Sequence, residues 1–378
     1  MFKDVPLMHS IALKDLSENK IDATIGVFLD DNKNLVYSDI FDSALSKVNK
    51  NMYNYAAVDG GTAYKNAMFS CFNVPSEYSM VSTPGGTGAL TILMAHKKAK
   101  TNALVIPRLA WSNYNKMAEL NDYVYSDFIT LDFDYDVFNK YDNVMFLVNT
   151  PASNPVGISY SKELLTDVLT KVKQYPNAVV VFDLAYYNFE DNQEFIFEFG
   201  KQFECYYMLS LSKTLGVYGF RLGALVSSKK ENLAPIARGI WSSISNVGIL
   251  SFVEAAKDID ALQKEINEKK GILQDRTKFF INLLNENSIP YYPFQNGFFV
   301  TLDFKEPDEL IKYLMEKHIY TVKCNGGIRI AVCSIDKKEM TEIVKNIKEF
   351  IQITCKSKII IIIMCTCRYC AVLNYIRY

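Results

Sequence analysis

The chain has 378 residues, enough for two domains or for one large α/β body with a smaller one attached. A composition of 49% hydrophobic and 22% charged residues, with 17 Gly and 11 Pro, excludes a disordered, collagenous or low-complexity chain. The net charge of −1 argues against nucleic acid or an anionic membrane as a partner.

Asp4, Lys14 and Asp15 break any apolar run at the start of the chain, so no signal peptide is expected. A Gly-rich turn at 83–89 leads into a predicted helix over 90–100. Short apolar runs at 103–107, 144–148, 178–182, 206–209 and 222–226 read as buried strands, with a helix predicted over 162–174. Strands alternating with helices imply an α/β fold, a mostly parallel sheet flanked by helices. From 250 to 287 the chain turns charged and helical, long enough to link two domains. Strands predicted at 297–302 and 328–332 then flank a helix at 307–317, and an amphipathic helix is predicted over 337–352. Cys71, Cys205, Cys324 and Cys333 show no metal or disulfide spacing and read as reduced thiols of a cytoplasmic protein. The longest apolar stretch, 359–367, is about half of the roughly 20 residues that span a bilayer.

Ligands of open parallel sheets bind beyond the carboxyl ends of the strands, and four such places carry chemistry. Gly86 and Thr87 in Thr83-Pro-Gly-Gly-Thr-Gly-Ala89 suit a phosphate at a helix N-terminus, or form a plain turn. Asn154 precedes Pro155 directly after the strand at 144–148, where Asn-Pro also favours an ordinary turn. Asp183 ends an apolar strand, where a carboxylate needs a cationic partner or serves as an N-cap. Lys213 sits in Ser210-Leu-Ser-Lys-Thr-Leu-Gly-Val-Tyr-Gly-Phe-Arg221, a turn with a second cation that suits a lysine of depressed pKa over a surface one. Together these supply phosphate donors, an aldehyde-capturing amine, a carboxylate for a pyridinium nitrogen and groups for a phenolate oxygen. That inventory meets the needs of pyridoxal 5′-phosphate.

With those residues in place, the sequence resembles the fold-type I pyridoxal-phosphate aminotransferases, in their aspartate/aromatic branch, from about residue 26 to 352. The resemblance implies that Lys213 holds the cofactor covalently and shuttles the proton, and that Asp183 keeps the pyridine nitrogen protonated. It implies that Tyr186 and Asn154 bind the phenolate oxygen, and that Gly86, Thr87, Ser210 and Arg221 form the phosphate cup. Trp111 matches the ring that stacks on the cofactor, and Tyr55 matches a tyrosine that reaches the phosphate across a dimer interface. Gly26 and Arg329 match the binders of the substrate α-carboxylate. Arg238 aligns with an arginine that meets a substrate side-chain carboxylate from the neighbouring subunit.

Three departures stand out: Tyr114 replaces a common His, Val156 replaces Thr in Asn-Pro-Thr-Gly, and the loop from Lys213 to Ile240 is short. The implied architecture is a large cofactor domain at 38–270 and a small α/β domain from 1–37 and 271–352. The implied protein is a homodimer with shared active sites that moves an amino group, aspartate favoured, to a 2-oxo acid such as 2-oxoglutarate. An aromatic aminotransferase, a lyase on the same scaffold and a non-catalytic homologue are the rivals. Residues 353–378 fall outside the resemblance, with four basic residues, no acidic one and four of the eight cysteines. Upstream of them the charge is −5, from 37 basic and 42 acidic residues. The tail is expected to play no catalytic role and to hold no metal.

Overall fold

The computed structural model describes residues 2–128 and 135–354. An N-terminal helix, Val5–Lys14, opens on Asp4, whose carboxylate accepts from the Leu7 N–H at 2.9 Å and satisfies an otherwise orphan donor. A short strand, β1 (Ile21–Asp22), follows. The central sheet contains β2 (Ser79–Pro84), β3 (Asn102–Pro107), β4 (Val124–Phe128), β5 (Asn143–Asn149), β6 (Ala178–Asp183), β7 (Cys205–Ser210) and β8 (Leu222–Ser227). Their order is β2-β8-β7-β6-β5-β3-β4, and β8 alone among them runs against its neighbours.

That reversal positions the site. The register pairs Asn149 with Asp183 and Ser210 with Gly223, so the carboxyl ends of β5, β6 and β7 share one rim of the sheet. Because β8 runs backwards, its first residues, preceded by Arg221, reach the same rim. The helix Gly85–His96 starts there too, directly after β2.

Alternate strand residues face opposite layers, the period-2 consequence of pleating. Val105, Phe146, Val180, Phe182 and Tyr207 pack in one apolar cluster, whereas Leu104, Met145, Val181, Tyr206 and Met208 pack in another. Phe182 is fully buried between Phe199 and Tyr207, so cutting it to Ala should cost about 3–5 kcal/mol.

A second sheet joins β9 (Phe299–Asp303), β11 (Val322–Cys324) and β12 (Gly327–Ala331) in antiparallel order β11-β12-β9, while β1 pairs in parallel with β10 (Ile319–Tyr320). Its core combines Met8, Ile21 and Phe28 with Phe298, Val300, Leu310 and Ile343. The 28-residue helix Ile259–Glu286 serves both bodies, giving Leu262 and Ile266 to the large core and Leu273, Phe280 and Leu284 to the small one.

The fold class is as expected, and the expected strands are present, with several boundaries shifted. The helix expected at 90–100 begins five residues earlier, so the glycines form its first turn rather than a loop before it. The expected helix at 250–287 is two helices, Asn246–Ala255 and Ile259–Glu286. Asp258 separates them, its carboxylate accepting from the Ala261 N–H at 3.0 Å. Strands β2 and β4 of the central sheet escape sequence reading, as do the short β1, β10 and β11. In β2 the buried positions Ser82 and Thr83 are polar, their hydroxyls donating to the carbonyls of Val58 and Gly85 at 3.0 and 2.9 Å. In β4, at the sheet edge, Val124 and Tyr125 are exposed. The expectations for residues 355–378 lie outside the described residues.

Candidate active site

At the shared rim lies a cavity of ≈ 780 Å³, lined from both bodies. Lys213 stands on a single helical turn, Leu211–Thr214, that Ser210 caps by accepting from the Ser212 N–H at 3.3 Å. Its Nζ donates to the Gly26 carbonyl and lies 4.7 Å from the Tyr218 ring centroid. Burial pushes the Lys213 pKa down to about 8; the Cys333 thiol opposes the shift, and Arg329 and Arg221 add to it. Lys213 therefore gives up its proton within about one pH unit of neutrality, far more readily than an exposed lysine. Gly26 is needed for this approach, because a Cβ there would stand 2.4 Å from the Phe299 ring and 3.4 Å from Lys213 Nζ.

Asp183 is buried at the end of β6, accepting from the Tyr114 hydroxyl on Oδ2 and from the Ala185 N–H at 3.0 Å on Oδ1. Burial raises its pKa, and these two donors counter the rise. Tyr114 fills the position at which the resemblance led to a His, and burial beside Asp183 holds its phenol well above its ordinary value. It thus donates to Asp183 while staying neutral. The Trp111 ring, at the cavity wall, meets Tyr114 edge-on at 5.3 Å.

Arg329 projects from β12 and is 5% exposed. Its guanidinium lies 4.2 Å from the Phe299 ring centroid and donates to the Thr24 carbonyl and, at 3.4 Å, to Asn154 Oδ1. Both acceptors are neutral, and its buried Nε has no hydrogen-bond partner among the described residues. A buried cation left this incomplete suits a carboxylate that offers two oxygens. Asn154 is held by its own N–H, which donates to Asn149 Oδ1 at 2.7 Å. Tyr186 lines the cavity beside it, its phenol raised by burial and therefore neutral.

Arg221 closes the opposite end. Its acceptors are also neutral: Ser212 Oγ and the Tyr218 and Pro84 carbonyls, at 3.2, 3.3 and 3.2 Å. Next to it the helix Gly85–His96 starts without a side-chain cap, leaving first-turn N–H groups around Gly86 and Thr87 for an anion. At Gly85, φ is +73° and a Cβ would stand 2.7 Å from Arg221 Nη2, so only glycine brings backbone and guanidinium this close. Five basic side chains, Lys213 among them, and two carboxylates line the cavity.

Eleven of the thirteen residues singled out in the sequence meet here. Tyr55 and Arg238 do not: Tyr55 is 92% exposed, and Arg238 is exposed on the helix Ala234–Ile240. Sequence reading missed Asn149, Ser212, Tyr218, Phe299 and the segment from Lys3 to Pro6 as lining residues. Asn149 and Ser212 stand at strand ends next to noted motifs and were within reach of the same logic; Phe299 and Lys3 arrive from distant segments.

The family described as aminotransferase class I and II matches residues 18–347. The chain belongs to this family. It is 24% identical to the cytoplasmic aspartate aminotransferase of Dictyostelium discoideum, over 90% of this chain and 88% of that one. It is 21% identical to the histidinol-phosphate aminotransferase of Flavobacterium johnsoniae, over 92% of each. Among solved structures, an aminotransferase from Anaerococcus prevotii superposes with a TM-score of 0.83 at 25% identity, covering 92% of this chain and 95% of that one. An aromatic-amino-acid aminotransferase from Burkholderia pseudomallei, covalently bound to pyridoxal phosphate, shares the fold with a TM-score of 0.78 at 18% identity, covering 92% and 96%.

This aminotransferase uses pyridoxal 5′-phosphate, and its residues fit that cofactor. An uncapped helix N-terminus beside Arg221, which has no acidic partner among the described residues, suits the phosphate. A buried carboxylate suits a protonated ring nitrogen, and an amine of lowered pKa suits an aldehyde. Among the described residues no group of side chains could hold a metal ion, and no helix is long and apolar enough to cross a membrane.

Proposed function

We propose that this aminotransferase takes aspartate as amino donor and a 2-oxo acid such as 2-oxoglutarate as acceptor, in a ping-pong cycle. The observation that carries the acidic-substrate reading is the excess of cations in the cavity over Asp4 and Asp183. Two of those cations, Arg329 and Arg221, hydrogen-bond to neutral acceptors alone.

Arg329 fixes the substrate by its α-carboxylate and so presents the Cα to Lys213 Nζ. The neutral Lys213 amine accepts the Cα proton and later returns it, a task its lowered pKa favours near neutral pH. Asp183, whose ionised form accepts from Tyr114 and Ala185, would pair with the ring nitrogen and stabilise its positive charge. Tyr186 and Asn154 orient the ring through its phenolate oxygen, and the Gly86–Thr87 turn, Ser210 and Arg221 hold the phosphate. When bound, the cofactor supplies an aldehyde to carry the amino group and a ring that accepts electron density.

The protein is read as a cytoplasmic homodimer, divided into a large domain at 38–270 and a small one from 1–37 and 271–352. Tyr55 and Arg238, both at the surface of this chain, would reach the partner's site in such a dimer. The test is a half-reaction panel of aspartate, glutamate, tyrosine, phenylalanine and histidinol phosphate, repeated with Arg238→Ala. The reading expects aspartate to react fastest and to lose rate in the variant. Faster reaction of the aromatic donors or histidinol phosphate would replace the assignment, and unchanged aspartate turnover in the variant would remove Arg238 from it.

A further inference from the structure

A smaller chamber of ≈ 250 Å³ adjoins the catalytic cavity and shares Lys3, Trp111, Asn154 and Arg329 with it. It lies between the end of β3 and the hairpin of β11 and β12, with Arg329 in its lining. The two spaces meet at Arg329, the residue proposed above to hold the substrate α-carboxylate.

Seven lysines and arginines line the two spaces, and all but one are accounted for. Arg108 lies 3.5 Å from Asp127, Lys116 3.5 Å from Glu119, and Lys323 2.6 Å from Asp308. Lys213, Arg221 and Arg329 have the roles given above. Lys3 remains. Its Nζ donates to the neutral Asn325 Oδ1 at 3.0 Å, and it lines both the chamber and the main cavity.

The segment bearing Lys3 is anchored on either side. The Phe2 carbonyl accepts from the Lys323 N–H at 2.8 Å, and Asp4 caps the helix that follows. Asn325, which orients Lys3, donates in turn to the Arg108 carbonyl at 3.4 Å. A cation is thereby held at the junction of the two spaces, hydrogen-bonded to a neutral amide and in no ion pair among the described residues.

We propose that Lys3 is a specificity-determining residue: its ammonium meets the distal carboxylate of an acidic substrate whose α-carboxylate lies on Arg329. The inference rests on the acidic-substrate reading and deepens it, since the distal carboxylate then meets a cation of the same chain as Lys213 beside the one that Arg238 would supply across the dimer. The experiment is calorimetric titration of the cofactor-loaded enzyme with succinate, which has two carboxylates, and with butyrate, which has one. Wild type, Lys3→Met and Lys3→Arg are compared, alongside KM and kcat for aspartate. The expected result is a roughly ten-fold loss of succinate-over-butyrate preference in Lys3→Met, the scale of one lost charge-assisted hydrogen bond. The aspartate KM should rise more than kcat falls, and Lys3→Arg should restore most of the preference. An undiminished preference for succinate in Lys3→Met overturns the role of Lys3 and leaves the acidic-substrate reading standing. A wild type that binds butyrate as tightly as succinate overturns both.

Discussion

Replacing Tyr114 by Phe removes one hydroxyl and keeps the ring that meets Trp111 edge-on at 5.3 Å. Asp183 is 5% exposed, and its ionised form is held by two donors, the Tyr114 O–H and the Ala185 N–H. A hydrogen bond to a charged group contributes about 1.5–3 kcal/mol, so the variant's Asp183 loses that much preference for ionisation. Its carboxyl, already raised by burial, rises further. Less negative charge then faces the ring nitrogen, and turnover and cofactor affinity should each fall by roughly ten- to hundred-fold. The sign of the pH dependence follows: a raised carboxyl is protonated more readily as pH falls, so the defect deepens at low pH and shrinks as pH rises. Cofactor titration followed by absorbance and initial rates from pH 6 to 9 measure both. Wild-type affinity and rate across that range in Tyr114→Phe would refute the role given to Tyr114.

Three further outcomes follow from the same geometry. Cofactor uptake by the apoenzyme should accelerate as pH rises through about 8, where Lys213 loses its proton, and level off above it; stopped-flow absorbance reads the profile. In Gly26→Ala the new methyl collides with Phe299 and crowds Lys213, so stability should fall by about 1–3 kcal/mol in urea unfolding and cofactor uptake should slow. Removing residues 355–378 should leave transamination and thermal stability unchanged, which activity assays and calorimetry on the shortened chain check.

The cofactor end of the site was legible because its residues lie at the ends of apolar strands. Asp183, Ser210 and Lys213 follow runs whose period and composition mark them as buried, and the sheet register then brings them together without further information. Arg221 was visible only as part of a motif; that it reaches the same rim depends on β8 running backwards, a long-range pairing with no local sign. The substrate end was harder to read. Gly26 and Lys3 lie far from Lys213 in sequence and arrive through the packing of the small sheet, and Phe299 reads as core until its neighbours are known. Strand β2 was obscured because its buried hydroxyls are satisfied by carbonyls that only the fold supplies. The split between the helices Asn246–Ala255 and Ile259–Glu286 turns on the cap at Asp258, a small signal inside a long charged stretch.

In the proposed reaction the protein moves an amino group from an acidic amino acid to a 2-oxo acid at this cavity, with Lys213 carrying the proton. Its most direct test is a single turnover of the cofactor-loaded protein with aspartate and no acceptor, following visible absorbance and the oxo acid released. The account predicts one equivalent of oxo acid per site with matching loss of absorbance, restoration of absorbance by 2-oxoglutarate, and neither change in Lys213→Ala. A wild-type protein that binds the cofactor yet releases no oxo acid, or a Lys213→Ala variant that turns over normally, would contradict it.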